Sequence, residues 1–298
     1  VSNSLARIFA ILALPLLAAC AGSPSTKSPP VVPGYEGIQD GEFFIQPVSP
    51  QYLYDGNRRE QVAYAGGEAP GTIVVDTHAR KLYLVEEGGM ATRYPIAVGR
   101  EGLSFRGNGV IGRKAEWPYW QPTANMVRTR PDLYAAYAGG LPGGLENPLG
   151  ARALYLYRGG RDSMFRIHGT SDSASIGHAT SAGCIRLFNQ DIIDLYNKVP
   201  GGTFVKVRTE AESLALEGPM MDSAYGHLVP ATPENIAQKE KDLIAIEKQA
   251  EKDRVAAEKA DRKRLAACDR RGIAPEDCPR PELPGAVVTV GTSDSLTF

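Results

Sequence analysis

Net charge is almost absent from this chain: 33 Lys and Arg face 34 Asp and Glu, leaving a formal charge of −1 over 298 residues. A protein that neutralises phosphates along a nucleic acid needs a basic excess, so the charge balance supports no nucleic-acid partner. Cysteine and histidine are scarce, with four of each. The Cys268 and Cys278 pair has no second ligand pair nearby, so no metal site is expected there, and no cofactor is expected. The hydrophobic share of 43% and charged share of 22% are ordinary for a globular protein. They suit one sizeable core with appendages.

The apolar run at 8–17 follows Arg7, is too short to span a bilayer and gives way to small residues. That is the pattern of a secretory leader. It closes on Leu17-Ala18-Ala19-Cys20 and continues as Ala21-Gly22-Ser23-Pro24. This resembles the lipobox of bacterial lipoproteins and implies diacylation of Cys20 as the new N-terminus, with more than one acyl chain holding the protein on a membrane. Ala21 resembles the residue that follows the cysteine in lipoproteins sent to the outer membrane. The expected location is therefore the periplasm of a Gram-negative bacterium, anchored through lipid.

Five segments follow from the composition: a leader at 1–20, a flexible Ser/Pro/Thr-rich tether at 21–34, an N-terminal extension at 35–70, a main domain at 71–208 and a C-terminal extension at 209–298. Short β-branched and aromatic runs at 72–76, 81–85, 94–98, 153–157, 165–168 and 203–207, punctuated by glycine, predict a mainly β fold, a sandwich or open barrel. One helix is expected after residue 189, with Asn189 as its cap and Pro200-Gly201-Gly202 as its stop. From Pro233 to about Ala267 an Ala/Lys/Glu-rich run predicts a long solvated helix. Cys268 and Cys278 beyond it are expected to pair in an oxidising compartment.

The chemistry concentrates in Ile167-His168-Gly169-Thr170 and in Thr180-Ser181-Ala182-Gly183-Cys184-Ile185-Arg186-Leu187. A cysteine nucleophile acts as its thiolate and needs a base within reach and a group to orient that base. His168 at a strand end and Cys184 in a glycine-containing turn supply the first two. The amides of Gly183 and Cys184 are candidates for an oxyanion site. If Cys268 pairs with Cys278, Cys184 has no obvious disulfide partner, which favours a chemical role.

Those residues resemble the L,D-transpeptidase catalytic domain, also called the YkuD domain, over roughly 71–208. The likeness takes in the opening strand pair, Trp117-Pro118-Tyr119-Trp120-Gln121-Pro122, Asn147-Pro148-Leu149-Gly150 and the His-Gly-Thr to Cys-Ile-Arg-Leu block. It implies a YkuD-like β fold with a helix after the catalytic cysteine. It also implies that Cys184 is the nucleophile, His168 the base and Gly169 the residue whose carbonyl orients it. Arg186, Thr170, Ser181, Trp117, Tyr119 and Trp120 would contact substrate, with Arg113 as a further wall of the donor cleft. The implied reaction releases D-alanine from peptidoglycan stem peptides and passes the acyl group to an amine. That amine would be a second diaminopimelate, a D-amino acid or an envelope protein; carbapenems would acylate the same thiol. One departure stands out: Ala182 occupies the place of the family's second histidine, and His178 is the candidate to replace it in space. His78 and His227 carry no motif. Three other readings are an L,D-carboxypeptidase, a wall-binding module without chemistry and a structural lipoprotein.

Overall fold

A polar turn between two runs of β-branched and aromatic residues closes a hairpin at 73–86, and around it the described residues build a sheet of eleven strands. The computed structural model describes residues 30–99, 106–180 and 185–279. The leader with Cys20, and Ser181, Ala182, Gly183 and Cys184, lie outside the described residues. In chain order the elements are β1 (Ile38–Asp40), β2 (Phe43–Ile45), β3 (Glu60–Ala63), β4 (Ile73–Asp76), β5 (Lys81–Glu86), β6 (Met90–Pro95), β7 (Ala97–Gly99) and β8 (Gly107–Glu116). An insert carrying the short helices α1 (Ala124–Thr129) and α2 (Pro131–Tyr134) precedes β9 (Arg152–Arg158), β10 (Arg161–His168), β11 (Ala179–Thr180) and β12 (Ile185–Arg186). Then come α3 (Asn189–Lys198), β13 (Phe204–Val207), α4 (Glu210–Glu217), β14 (Met220–Asp222), β15 (Leu228–Pro230) and α5 (Pro233–Asp269).

The strand order of the main sheet is β11-β7-β12-β10-β9-β8-β13-β4-β5-β6-β3. It shows why the architecture is rolled. β6 ends at Pro95 and β7 starts at Ala97, yet they stand eight places apart in that order. On a flat sheet they would be about 38 Å apart, whereas a single intervening residue bridges at most about 7 Å. The sheet therefore folds over on itself. Ile96, at the crossing, is fully buried with Leu82, Ile111, Leu154, Ile167 and Ile185 in one core cluster. This is the expected sandwich or open barrel, closed around a core fed by both ends of one sheet.

The segment read as an N-terminal extension contributes to this body. β3 pairs with β6 at the sheet edge, so the sheet begins at Glu60 rather than near residue 71. Upstream, Tyr35, Val48 and Leu53 bury against Ala97, Ile176 and Phe188. Alternation signals neither contact, because the partners lie far away in sequence. Tyr35 also donates to Asp191 Oδ2 at 3.1 Å, and Arg59 reaches Asp191 at 3.4 Å and Asp194 at 3.5 Å. Burial pushes the Asp191 carboxyl up to about 7, opposed by the Arg59 charge and the Tyr35 hydroxyl. The segment at 35–59 thus covers the polar start of α3.

The chain after β13 also stays on the sheet for a further stretch. Arg208 pairs with buried Asp76 at 3.2 Å and Glu217 at 2.7 Å, and Tyr83 donates to Glu217 at 2.6 Å, which fastens α4. The 37 residues of α5 extend about 55 Å, with Cys268 its one buried residue. Cys268 and Cys278 are joined by a disulfide that closes the turn at its end. Among the described residues no helix is long and apolar enough to cross a membrane.

Tyr35 is 2% exposed and packs edge-on against Phe188 with ring centroids 5.6 Å apart. Tyr35→Ala is expected to lower stability by about 3 kcal/mol through cavity formation and loss of the Asp191 contact. Denaturant unfolding checks this; a loss below half a kcal/mol would mean that 35–59 is not part of the cooperative unit.

Candidate active site

The site is set by which side of β10 each residue faces. Successive side chains alternate across a strand, so Ile167 enters the core while His168 and Arg166 share the opposite face. His168 pairs in register with Ala153 of β9 and Arg186 of β12, and it is 4% exposed. Its Nδ1 lies 2.7 Å from the carbonyl oxygen of Gly169. A carbonyl can only accept, so Nδ1 carries the hydrogen and donates, and the lone pair resides on Nε2. Burial holds the imidazole down at about 3, reinforced by the Arg186 guanidinium, while the Gly169 contact opposes the shift. At neutral pH His168 is an uncharged base in a fixed orientation.

The backbone around it is tied to three neighbours. Gly169 N donates to Arg152 O at 3.0 Å, and Leu187 N donates to His168 O at 2.8 Å. Asn189 completes the arrangement: its Oδ1 accepts from Ala151 N and its Nδ2 donates to Thr170 O, both at 2.9 Å. This corrects the expected cap. Phe188 occupies the cap position of α3 without a side-chain cap bond, because the Asn189 carboxamide is engaged by β9 and the loop after His168. A side chain at Gly169 would place its Cβ 2.2 Å from Asn189 Oδ1, and one at Gly150 would lie 2.4 Å from Thr170 N. Both positions therefore need glycine. Thr170, expected to touch substrate, is buried, and its hydroxyl accepts from Asp172 N at 3.0 Å in a local turn.

The insert between β8 and β9 opens and closes at this end of the sheet. Glu116 pairs with Arg152, and Trp117 N donates to Ala151 O at 2.8 Å, so the segment at 117–151 starts and finishes beside Gly169. Trp117 packs on Phe43 with ring centroids 4.3 Å apart. Trp120 is half-buried between Tyr134 and Tyr137. Tyr119 is 56% exposed, and its hydroxyl donates to Gly139 O. Of the three, Tyr119 presents the most open surface. Asn147, whose sequence position signals no role, is buried, donates to Pro118 O at 3.0 Å and Pro142 O at 2.9 Å and accepts from Leu149 N at 2.9 Å. Its carboxamide gives the insert its shape. Arg152 adds a clamp to Asp40 at 2.6 Å.

The remaining candidates divide. Arg186 is buried beside His168. His178 is placed against the β14–β15 hairpin, its ring centroid 5.2 Å from that of His227, which in turn stacks on Tyr54 at 4.1 Å. Burial and the neighbouring His227 lower the His178 pKa. His178 thus serves a packing contact that its place in the sequence did not reveal. Among the described residues no three His, Cys, Asp or Glu side chains gather where a metal ion could be held.

Residues 70–207 match the YkuD family, described as the L,D-transpeptidase catalytic domain. A Fuscovulum blasticum protein named "Putative L,D-transpeptidase in ATP synthase subunits region ORF 5" is 38% identical over 137 residues, which span 45% of this chain and 68% of that one. The chain belongs to the YkuD family of L,D-transpeptidases. "Probable L,D-transpeptidase ErfK/SrfK" of Escherichia coli (strain K12) is 34% identical over 139 residues, 46% of this chain. The match spans less than half of that relative's length, 43%. A solved Brucella melitensis structure, described as a probable carnitine operon oxidoreductase, is 46% identical over 51% of this chain and 95% of its own, with a TM-score of 0.37. The oxidoreductase description is that protein's own. In the YkuD domain of this chain, the sheet, the oriented histidine and the helix at 189–198 make up the described part of the site.

Two outcomes are expected. A histidine held neutral by burial is protonated more readily in the unfolded chain, so its contribution is present above the unfolded pKa near 6.5 and lost as pH falls toward about 3. His168→Gln should flatten the acid limb of a stability–pH curve below pH 6.5, by up to roughly 1.4 kcal/mol per pH unit; an unchanged slope would show that His168 is not held neutral. Asn189→Ala should cost about 2 kcal/mol, because Ala151 N and Thr170 O lose their partner. Denaturant titration reads that loss.

Proposed function

We propose that this protein is a peptidoglycan L,D-transpeptidase with Cys184 as nucleophile and His168 as general base. The supporting observation is the buried imidazole whose Nδ1 donates to the Gly169 carbonyl at 2.7 Å. That contact leaves Nε2 able to take a proton from a thiol, as nucleophilic catalysis by cysteine requires. In the reaction Nε2 accepts the Cys184 proton and the sulfur attacks the carbonyl at the L-centre of diaminopimelate in a tetrapeptide stem. The oxyanion is held by the amides of Gly183 and Cys184. His168 returns the proton to the departing nitrogen, D-alanine leaves and a thioester remains. An acceptor amine then attacks the thioester and gives a proton to His168, and the thiol is restored as the new amide separates.

Substrate would lie against Arg186 and Ser181, beside the Thr170 turn, and under the insert carrying Trp117, Tyr119 and Trp120. The acceptor would be a second diaminopimelate, giving a 3-3 cross-link, a D-amino acid or an envelope protein amine. The lipobox-like sequence ending at Cys20 supports a periplasmic enzyme held by lipid to the outer membrane of a Gram-negative bacterium. The Ser/Pro-rich tether gives its catalytic domain reach toward the wall.

Incubating the detergent-solubilised chain with a disaccharide-tetrapeptide, beside Cys184→Ala, tests the reading by mass spectrometry. Cross-linked dimer and free D-alanine, both absent in the variant, are the expected products. Tripeptide without dimer would make the protein a carboxypeptidase. An unaltered substrate would overturn the enzymatic reading in favour of a wall-binding module.

A further inference from the structure

The face of the sheet that carries His168 continues across β9 and β8. In register, His168 stands beside Ala153 and Ala153 beside Ala115; two residues further along the strands, Arg166 stands beside Tyr155 and Tyr155 beside Arg113. The first row therefore offers two small side chains next to the base. The second offers an aromatic ring with a guanidinium from the strand on either side. Arg113 lies over the Tyr155 ring at 3.4 Å and Arg166 lies 4.2 Å from its centroid. Tyr155 is only 5% exposed as a result.

The two arginines are not equivalent. Arg166 is engaged by Asp162, with nitrogen–oxygen distances of 2.7 and 2.9 Å. Arg113 is exposed and forms no direct ion pair among the described residues; the nearby Asp162 carboxylate feels its charge but is bonded by Arg166, which leaves the outer edge of the Arg113 guanidinium open to a ligand. Its direction is imposed by a bulge. Ile111 pairs with Leu156 on the core side, and after one extra residue, Gly112, Arg113 pairs with Tyr155 on the site side. A Cβ at Gly112 would lie 2.3 Å from the Tyr157 ring, so that residue must be glycine for the strand to change phase there. Planar stacking then restricts the guanidinium and leaves its edge to bind an anion.

We infer that Arg113, stacked on Tyr155 and backed by Arg166, forms a subsite for a carboxylate of the donor peptide. The two rows are separated by about 7 Å along the strands. The side chain of diaminopimelate, extended from the carbonyl attacked at its L-centre, spans about that length and ends in the D-centre carboxylate. That carboxylate is the group assigned to Arg113. The inference rests on the transpeptidase reading for the identity of the donor, but it is tested by binding without turnover.

The full chain carrying Cys184→Ala is titrated calorimetrically with a disaccharide-tetrapeptide and with the same compound amidated at the D-centre carboxylate. The acid form should bind about tenfold more tightly, the scale of one charge-assisted contact. Adding Arg113→Ala should abolish the difference by weakening the acid form alone, while Arg113→Lys should restore part of it. Circular dichroism confirms that each variant is folded. Equal binding of the two compounds, a preference that survives Arg113→Ala, or no binding of either would overturn the subsite. Loss of turnover in the enzyme with Cys184 intact, alongside an Arg113-dependent preference, would instead overturn the transpeptidase reading and leave the subsite standing.

Discussion

A single carboxamide holds the site together. Asn189 accepts from Ala151 at the entry to β9 and donates to Thr170 in the loop after His168, so the first residue of α3 joins two strands that would otherwise be linked only along their ladder. The bond requires close backbone approach, which is why Gly150 and Gly169 surround it with no room for a Cβ. The orientation of the His168 ring depends on the same point. The Gly169 carbonyl faces Nδ1 because the Gly169 amide is bound to Arg152 O at 3.0 Å, one residue after the amide that Asn189 holds.

The electrostatics of His168 have a chemical consequence. Burial and the adjacent Arg186 charge favour the neutral imidazole, the form that accepts a proton in the proposed reaction. The Gly169 carbonyl then gains importance as charge develops, because it is the acceptor already in contact with the ring. Arg186 opposes that charge, so its benefit must lie elsewhere, in holding β12 beside β10 or in attracting an anionic donor.

Much of the sheet was legible, and for a definite reason. Runs such as 73–76 and 81–86 alternate or are buried on both faces, and their partners are hairpin neighbours, so local pattern and pairing coincide. β3 and the segment at 35–59 were not legible, because their partners, β6 and α3, lie 27 to 156 residues away. Asn189 shows the limit within the site. An asparagine before an amphipathic run reads as a cap from local propensity alone, and only the tertiary approach of Ala151 and Thr170 redirects it. The contact of His178 with His227 was hidden for a similar reason, since the hairpin that carries His227 comes almost fifty residues later. His168 and Gly169 were readable because their contact is between adjacent residues.

The clearest division of labour runs through β8. Up to Ile111 the strand follows a phase that points its apolar residue inward against Leu156; past Gly112 the phase is reversed, and Arg113 and Ala115 take the face shared with Tyr155, Ala153 and His168. In β10 the comparable irregularity lies between Asp162 and Arg166. There two extra residues are inserted rather than one, so Phe165 and Ile167 remain on the core side and Arg166 and His168 opposite. Odd and even insertions have opposite effects because side-chain direction has a period of two. A regular β8 would have aimed Arg113 into the apolar core and left Gly112 beside Tyr155, a sheet that folds less well and binds nothing there. The bulge serves core and site together, which places the ligand-facing row under the same constraint as the packing.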